Sequence, residues 1–329
     1  MTPPLPRAKP DRPLRNPRDR LVILGLLTLF LIGIVGVAAT TGWKETADQI
    51  RKLGTVQLLV LLLLSLLNYG MRGLRWHLFT RALGLRCSFL QDLRHYLGGF
   101  AMSVTPGRVG ELVRMRWLAR ESGWPIERTA PLALADRASD LATMGLLLAL
   151  SAMLATAAMS GALTVAALAL VAALIATRPR IFTALITGLY RLTGLTPRLF
   201  ARARRAARAL HVFSRAPVFV PAILFGLVGW AAEAYGFYLL LFWFGADLGL
   251  ARAMTIFLFA TLAGGLTGAP GGIGGAEAAM IALLSLDGVP MDQALAATAV
   301  IRLTTLWFAV LIGMVAFPIA ERYSMKRAA

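Results

Sequence analysis

Cysteine is all but missing. Cys87 is the only one in 329 residues, so no disulfide within the chain can staple the fold. Histidine is nearly as scarce: His77, His95 and His211 are scattered, show no metal-ligand spacing, and predict no metal site. Charge is thin, at 15% of residues, against about 25% in soluble domains. Acids are the rarest part of it, with 16 Asp and Glu against 34 Lys and Arg and a net charge of +18. No Walker loop, no Ser-His-Asp constellation and no dinucleotide fingerprint can be found. ATP-driven pumping by this chain alone is therefore not expected, nor is any cofactor.

What the chain does have is apolar length. It is 58% hydrophobic, with a mean hydropathy of +0.70, and the apolar residues come in long blocks. A block of about 20 such residues spans a bilayer as a helix, so the predicted class is an all-α polytopic membrane protein. The basic excess sits in short stretches between the blocks, as the positive-inside rule requires. Nucleic acid is accordingly not the expected partner, and anionic lipid surfaces are.

The charges trace a topology. Residues 1–20 hold six prolines and six basic residues and read as a disordered basic cytoplasmic tail. Residues 21–40 form an uncleaved first span rather than a signal peptide. Span 2, about 54–70, returns to a segment carrying Arg72, Arg75, Arg81, Arg86 and Arg94 against Asp92, a cytoplasmic signature. Residues 88–105 are moderately apolar and basic on both flanks, which predicts a re-entrant hairpin. Spans 3 and 4 follow at about 131–158 and 162–177, turning at Ser160-Gly161. Residues 178–215 hold nine arginines and no acid, and their later part (Leu199, Phe200, Ala203, Ala206, Ala207, Leu210) has the apolar spacing of a surface helix. Span 5 covers about 217–243. Residues 253–268 and 276–287 are too short to cross and flank a Gly-Pro-rich break, predicting a second re-entrant hairpin from the outer face. Span 6, about 294–318, leads to a cytoplasmic tail at 321–329. The single transmembrane domain is thus 21–320, with about six full spans, two hairpins and both termini in the cytoplasm.

Its halves, about 21–160 and 161–320, resemble each other at a spacing of about 165. Pro106-Gly107-Arg108-Val109-Gly110 matches Pro270-Gly271-Gly272-Ile273-Gly274, Arg137-x-x-Asp140 matches Arg302-x-x-Thr305, and Tyr69-Gly70 matches Tyr235-Gly236. The traced topology makes the second half the first inverted. Inverted repeats with broken segments are a transporter signature, with the site where the breaks meet.

The polar residues near those breaks are the site candidates. A helix restarting after Pro106-Gly107-Arg108, or after Pro270-Gly271-Gly272 and Gly274, offers unpaired N–H groups and a positive dipole end to an anion. The alternative is that the glycines only permit close packing. Glu111 and Arg114 share a helical face, as do Arg137 and Asp140. Arg137-Asp140 is either a structural pair, or Arg137 and Arg302 together grip a lipid phosphate, for which a planar guanidinium is suited. Glu233, inside an apolar span, reads as a proton relay or as a partner for an arginine. Glu277 is a candidate partner for Arg302.

Taken together, Pro106-Gly107-Arg108-Val109-Gly110-Glu111, Arg114, Arg137-x-x-Asp140 and Pro270-Gly271-Gly272-Ile273-Gly274-x-x-Glu277 resemble the flippase-like lysylphosphatidylglycerol synthase transmembrane-region family over roughly residues 20–320. The resemblance implies movement of lipids between the leaflets of a bacterial inner membrane. It leaves the cargo open among phospholipid, hopanoid and polyprenyl-phosphate types, and brings in a homo-oligomer or a partner synthase. Synthase activity is not carried over, since the sequence ends shortly after span 6. A transporter is thereby favoured over an enzyme. Two other readings stand beside it. One is an intramembrane lipid-modifying transferase using Glu111, Asp140 or Glu277 as acid or base. The other is a non-catalytic subunit anchoring a partner through 178–215.

Overall fold

The computed structural model describes residues 48, 51–105, 109–155, 159, 161–193, 210–267 and 269–328. Among them every regular element is helical. The predicted basic tail at 1–20, span 1 at 21–40, and Pro106, Gly107 and Arg108 lie outside the described residues. So does most of the stretch from Leu199 to Leu210.

The helices are α1 (Thr55–Ala82), α2 (Phe89–Gly99), α3 (Val109–Ser122), α4 (Ile126–Leu154), α5 (Ala162–Thr177) and α6 (Pro179–Thr193). After these come α7 (Ala216–Trp243), α8 (Leu250–Leu266), α9 (Gly275–Leu286), α10 (Met291–Arg302) and α11 (Phe308–Ala328). A π-helical turn, Leu303–Trp307, joins α10 to α11. Four helical stretches are long and apolar enough to cross a membrane: Thr55–Ala82, Arg128–Leu154, Ala216–Trp243 and Met291–Met325. Three shorter helices, α5, α8 and α9, are also apolar. The chain is an all-α, multi-pass membrane protein.

Local sequence sets the helix ends. Ser88 caps α2 by accepting from the Gln91 N–H at 3.3 Å, and the Gln91 side chain reaches back to the Ser88 N–H, closing a capping box. Gly161 enters α5 at φ +83°, a left-handed turn that costs glycine nothing. Its position agrees with the turn expected between spans 3 and 4.

Helix α1 shows how such a helix is sorted between lipid and protein. Val56, Leu59, Leu63 and Leu66 are exposed along one stripe, while Leu61, Ser65, Asn68, Tyr69, Arg72, Arg75 and Phe79 are buried on the other. The apolar face is turned to lipid and the polar face inward, where other helices satisfy it. This corrects the expected end of span 2 near residue 70. The helix continues to Ala82, and Arg72 and Arg75 are interior residues, not part of a cytoplasmic loop. The surface helix expected in the later part of 178–215 lies almost wholly outside the described residues, and the earlier part of that segment forms α6 at Pro179–Thr193. At the far end, the stretch expected as a tail continues α11 to Ala328, with Glu321 and Ser324 buried.

Helix α1 packs along α7 and α4 along α5. The short pair α2–α3 packs on α11, and the short pair α8–α9 leans on α4 and α7. Missing side chains set these distances. A Cβ on Gly313 of α11 would meet the Ala101 backbone nitrogen, and would lie 2.7 Å from the Phe100 carbonyl carbon. Backbone cannot yield as a side-chain tip does. Gly313→Leu is therefore expected to cost about 1–3 kcal/mol through overpacking. A melting curve of the purified variant in detergent checks this, and an unshifted midpoint would count against the contact.

Candidate functional site

The buried polar residues of α1, α3 and α4 meet in one network. On α1, Arg72 and Arg75 are one turn apart; on α4, Asp136 and Asp140 are too. The helices hold these as a ladder. Arg72 Nη2 donates to Asp140 Oδ2 at 2.7 Å, and Arg75 Nη2 donates to Asp140 Oδ1 at 2.7 Å. Arg75 also grips Asp136 Oδ1 through Nη2 at 2.6 Å and Nε at 3.0 Å. The Trp230 Nε1–H of α7 donates to Asp140 Oδ1 at 3.2 Å, and the Arg72 guanidinium lies 5.0 Å from the Trp230 ring centroid.

Beside the ladder, Arg137 Nε donates to Glu111 of α3 and stands 3.5 Å from Asp140. The i,i+3 pairing expected of Arg137 is thus the weaker of its two contacts. Arg114, expected on the same face as Glu111, turns elsewhere. It lies across Gly99, where any Cβ would collide with it. Its guanidinium stands 4.2 Å from the Tyr96 ring centroid, 5.6 Å from Trp76 and 5.7 Å from Phe100. The closest carboxylate oxygen, Asp136 Oδ2, is 3.7 Å away.

A second pair forms across the other break. Arg302, at the end of α10, donates through Nε to Glu277 Oε1 at 2.6 Å and through Nη2 to the Gly271 carbonyl at 2.9 Å. Gly271 and Gly274 take positive φ, +63° and +83°, and so form the sharp turn into α9. The π-helical turn after Arg302 displaces the backbone locally, and the Tyr69 hydroxyl donates to the carbonyl of Thr305 there. Such π turns cluster at functional sites.

Between the two pairs lies a cavity of about 170 Å³. Arg72, Arg114, Arg137 and Arg302 line it, together with Glu111, Glu233, Tyr69, Trp230, Gly271 and Gly272. Among the described residues, Glu233 has no cation within 4.0 Å, although it is buried in mid-helix on α7. Of the residues expected from sequence, Glu111, Arg114, Arg137, Glu233, Gly271, Gly272 and Arg302 reach this cavity, and Asp140 and Glu277 stand directly behind its arginines. Gly274 caps α9 outside the lining, and Pro270 opens the turn. Sequence reasoning missed Arg72, Arg75, Asp136 and Trp230. The signal was there in the spacing of Asn68, Arg72, Arg75 and Phe79, which continues the buried stripe of α1 past the first arginine.

A model of the lysylphosphatidylglycerol synthase TM region matches residues 20–313. The chain belongs to this family. Two relatives in Methanothermobacter thermautotrophicus, each described only as a UPF0104 membrane protein, are similar over nearly their whole lengths. One is 28% identical, covering 88% of this chain and 94% of its own, and the other 24% identical, covering 87% and 91%. Both relatives are archaeal, so the family is not confined to bacteria.

Proposed function

We propose that this protein moves an amphiphile with an anionic headgroup between the leaflets of the membrane, the headgroup crossing through the arginine-lined cavity while its chains stay in lipid. The observation that carries the reading is the cavity itself: four guanidinium groups around a half-open cleft between helices whose outer faces are apolar. Charges at such depth are costly and mark substrate pathways. The volume, about 170 Å³, is well below the several hundred Å³ that enclose a drug-sized ligand. It suits a headgroup and excludes acyl chains.

In this reading α2–α3 and α8–α9 are re-entrant hairpins, each belonging to one half of an inverted repeat. Two correspondences support it. Glu111 pairs with Arg137 across 26 positions and Glu277 with Arg302 across 25, each a carboxylate after a break held by an arginine on a later helix. A Cβ on Gly110 would strike the Gly99 carbonyl, just as one on Gly264 would strike Ala276, 165 or 166 positions further on. One correspondence has been lost: Tyr69 is buried at 3% exposure, whereas Tyr235 is 42% exposed. Glu233, lining the cavity without a nearby cation, is the group suited to carry a proton with the headgroup. The protein would reside in the cytoplasmic membrane with both termini inside, alone, as an oligomer, or beside a lipid-modifying enzyme.

The transferase reading is weaker, because Glu111, Asp140 and Glu277 are each engaged by an arginine. Reconstitution into phosphatidylcholine vesicles carrying fluorescent phosphatidylglycerol is the test. Dithionite should reach inner-leaflet label faster with protein than without, and mass spectrometry should find the lipids unaltered. Equal rates in loaded and empty vesicles would end the proposal, and a new lipid product would favour the transferase.

A further inference from the structure

The geometry points to Arg114, rather than the Arg137 and Arg302 expected from sequence, as the group that docks the anion, and to a tetrahedral oxyanion such as phosphate as its ligand. The inference rests on the transport reading for its purpose, but not for its chemistry. Arg137 and Arg302 each already donate to a carboxylate. Arg114 does not. It is 3% exposed, and both its Nε and its Nη1 lack a hydrogen-bond partner. Asp136 Oδ2, at 3.7 Å, is beyond hydrogen-bond reach of it. Asp136 spends its other oxygen on Arg75.

The local charge count agrees. Four guanidinium groups (Arg72, Arg75, Arg114, Arg137) meet three carboxylates (Asp136, Asp140, Glu111) in this network, and Arg114 is the one of the four that makes no hydrogen bond to any of them. A buried cation with no hydrogen-bonded carboxylate is expensive. Tyr96, Trp76 and Phe100 offset part of that cost by presenting ring faces. Stacking of this kind covers the face of a guanidinium and leaves its edge of N–H donors open. Gly99 supplies the remaining condition, since its bare Cα is the seat on which the Arg114 side chain lies. The result is a rigid, desolvated fork on a side chain that lines the cavity, with the planar donor set that suits two oxygens of a phosphate. The corresponding position in the second half, 166 residues on, is Met280, so the site occurs once per chain.

The full chain, purified in a neutral detergent, is titrated with short-chain phosphatidylglycerol and separately with inorganic phosphate. Tryptophan fluorescence is the readout, since Trp76 and Trp230 stand beside the guanidinium groups. Arg114→Gln should weaken binding at least about tenfold, the loss of a charged hydrogen bond. Gly99→Ala keeps the charge but fills its seat, and should weaken binding comparably; Leu112→Ala, on the exposed side of the same helix, should not. Binding of the lipid alone identifies a headgroup site, and equally tight binding of phosphate a free-ion site; either supports the docking role. No binding by the unaltered chain, or both Arg114→Gln and Gly99→Ala within about twofold of it, overturns it. The two proposals separate cleanly. Binding and translocation that both persist in Arg114→Gln remove the docking site and leave transport standing. Binding lost in that variant, with no translocation by the unaltered chain, does the reverse.

Discussion

Arg75→Met should be the most destabilising single substitution in the membrane interior, lowering stability by about 3–5 kcal/mol. Arg75 is 0% exposed and holds both Asp136 and Asp140 of α4. Without it Asp140 keeps Arg72 and Trp230, but Asp136 loses every hydrogen bond it makes. A buried carboxylate left with no hydrogen bond, and with Arg114 only at 3.7 Å, costs far more than the pair itself contributes. The sign can therefore be reversed. Arg75→Met combined with Asp136→Leu removes both charges and should recover most of the loss, because an apolar pair of similar size is often as stable as a buried ion pair. Thermal unfolding in detergent, followed for the single and the double variant, decides the matter. A single variant that melts with the unaltered protein would show that the ladder does not hold α1 to α4. A double variant no better than the single would show that Arg75 acts through something other than Asp136.

The same ladder explains where sequence reading succeeded and where it stopped. The helices expected for spans 3 to 6 were legible because apolar length and flanking charge are local signals, and α5, α7, α8 and α9 begin and end within a few residues of expectation, although α5 is one of the shorter apolar helices. The end of span 2 was not. Two arginines in four positions read as a loop unless their compensation is known, and that compensation, Asp136 and Asp140, sits more than sixty positions away. The pairing of Glu277 with Arg302 was foreseen, since a carboxylate after a break and an arginine on the next apolar run are natural partners. The expected Arg137–Asp140 pair is present at 3.5 Å, but the closer contact of Arg137 to Glu111 was not foreseen. Helical neighbours three apart are close by construction, yet Glu111 arrives from another helix with better geometry. Arg114 illustrates a different limit. Its sequence neighbourhood offers Glu111 one turn away, and only the bare Cα of Gly99 and three aromatic rings, a tertiary arrangement, draw it off. The π-helical turn at Leu303–Trp307 has no local sequence mark at all.

Glu277→Gln is expected to slow translocation by about 10²–10³-fold while leaving the protein folded, from a broken buried pair worth about 3–4 kcal/mol at roughly tenfold per 1.4 kcal/mol. The substitution is nearly isosteric, so Arg302 can still donate to the amide oxygen and to the Gly271 carbonyl at 2.9 Å, and the glycine turn keeps its anchor. What disappears is the carboxylate charge that an incoming anionic headgroup must replace and that must later reclaim Arg302. An arginine with no carboxylate partner holds the anion too tightly to release it. Binding and transport should then part company in a diagnostic way: Glu277→Gln should bind phosphatidylglycerol at least as well as the unaltered chain and move it far more slowly. Arg302→Lys keeps the charge but not the fork that reaches Glu277 and Gly271 together, and should fail through looser geometry, with weaker binding as well. If the halves act alike, Glu111→Gln should reproduce the Glu277→Gln pattern through Arg137. Unchanged dithionite-accessibility rates in Glu277→Gln vesicles would mean that the headgroup never meets this pair, and the path would have to be drawn along the Arg72–Arg114 side of the cavity alone.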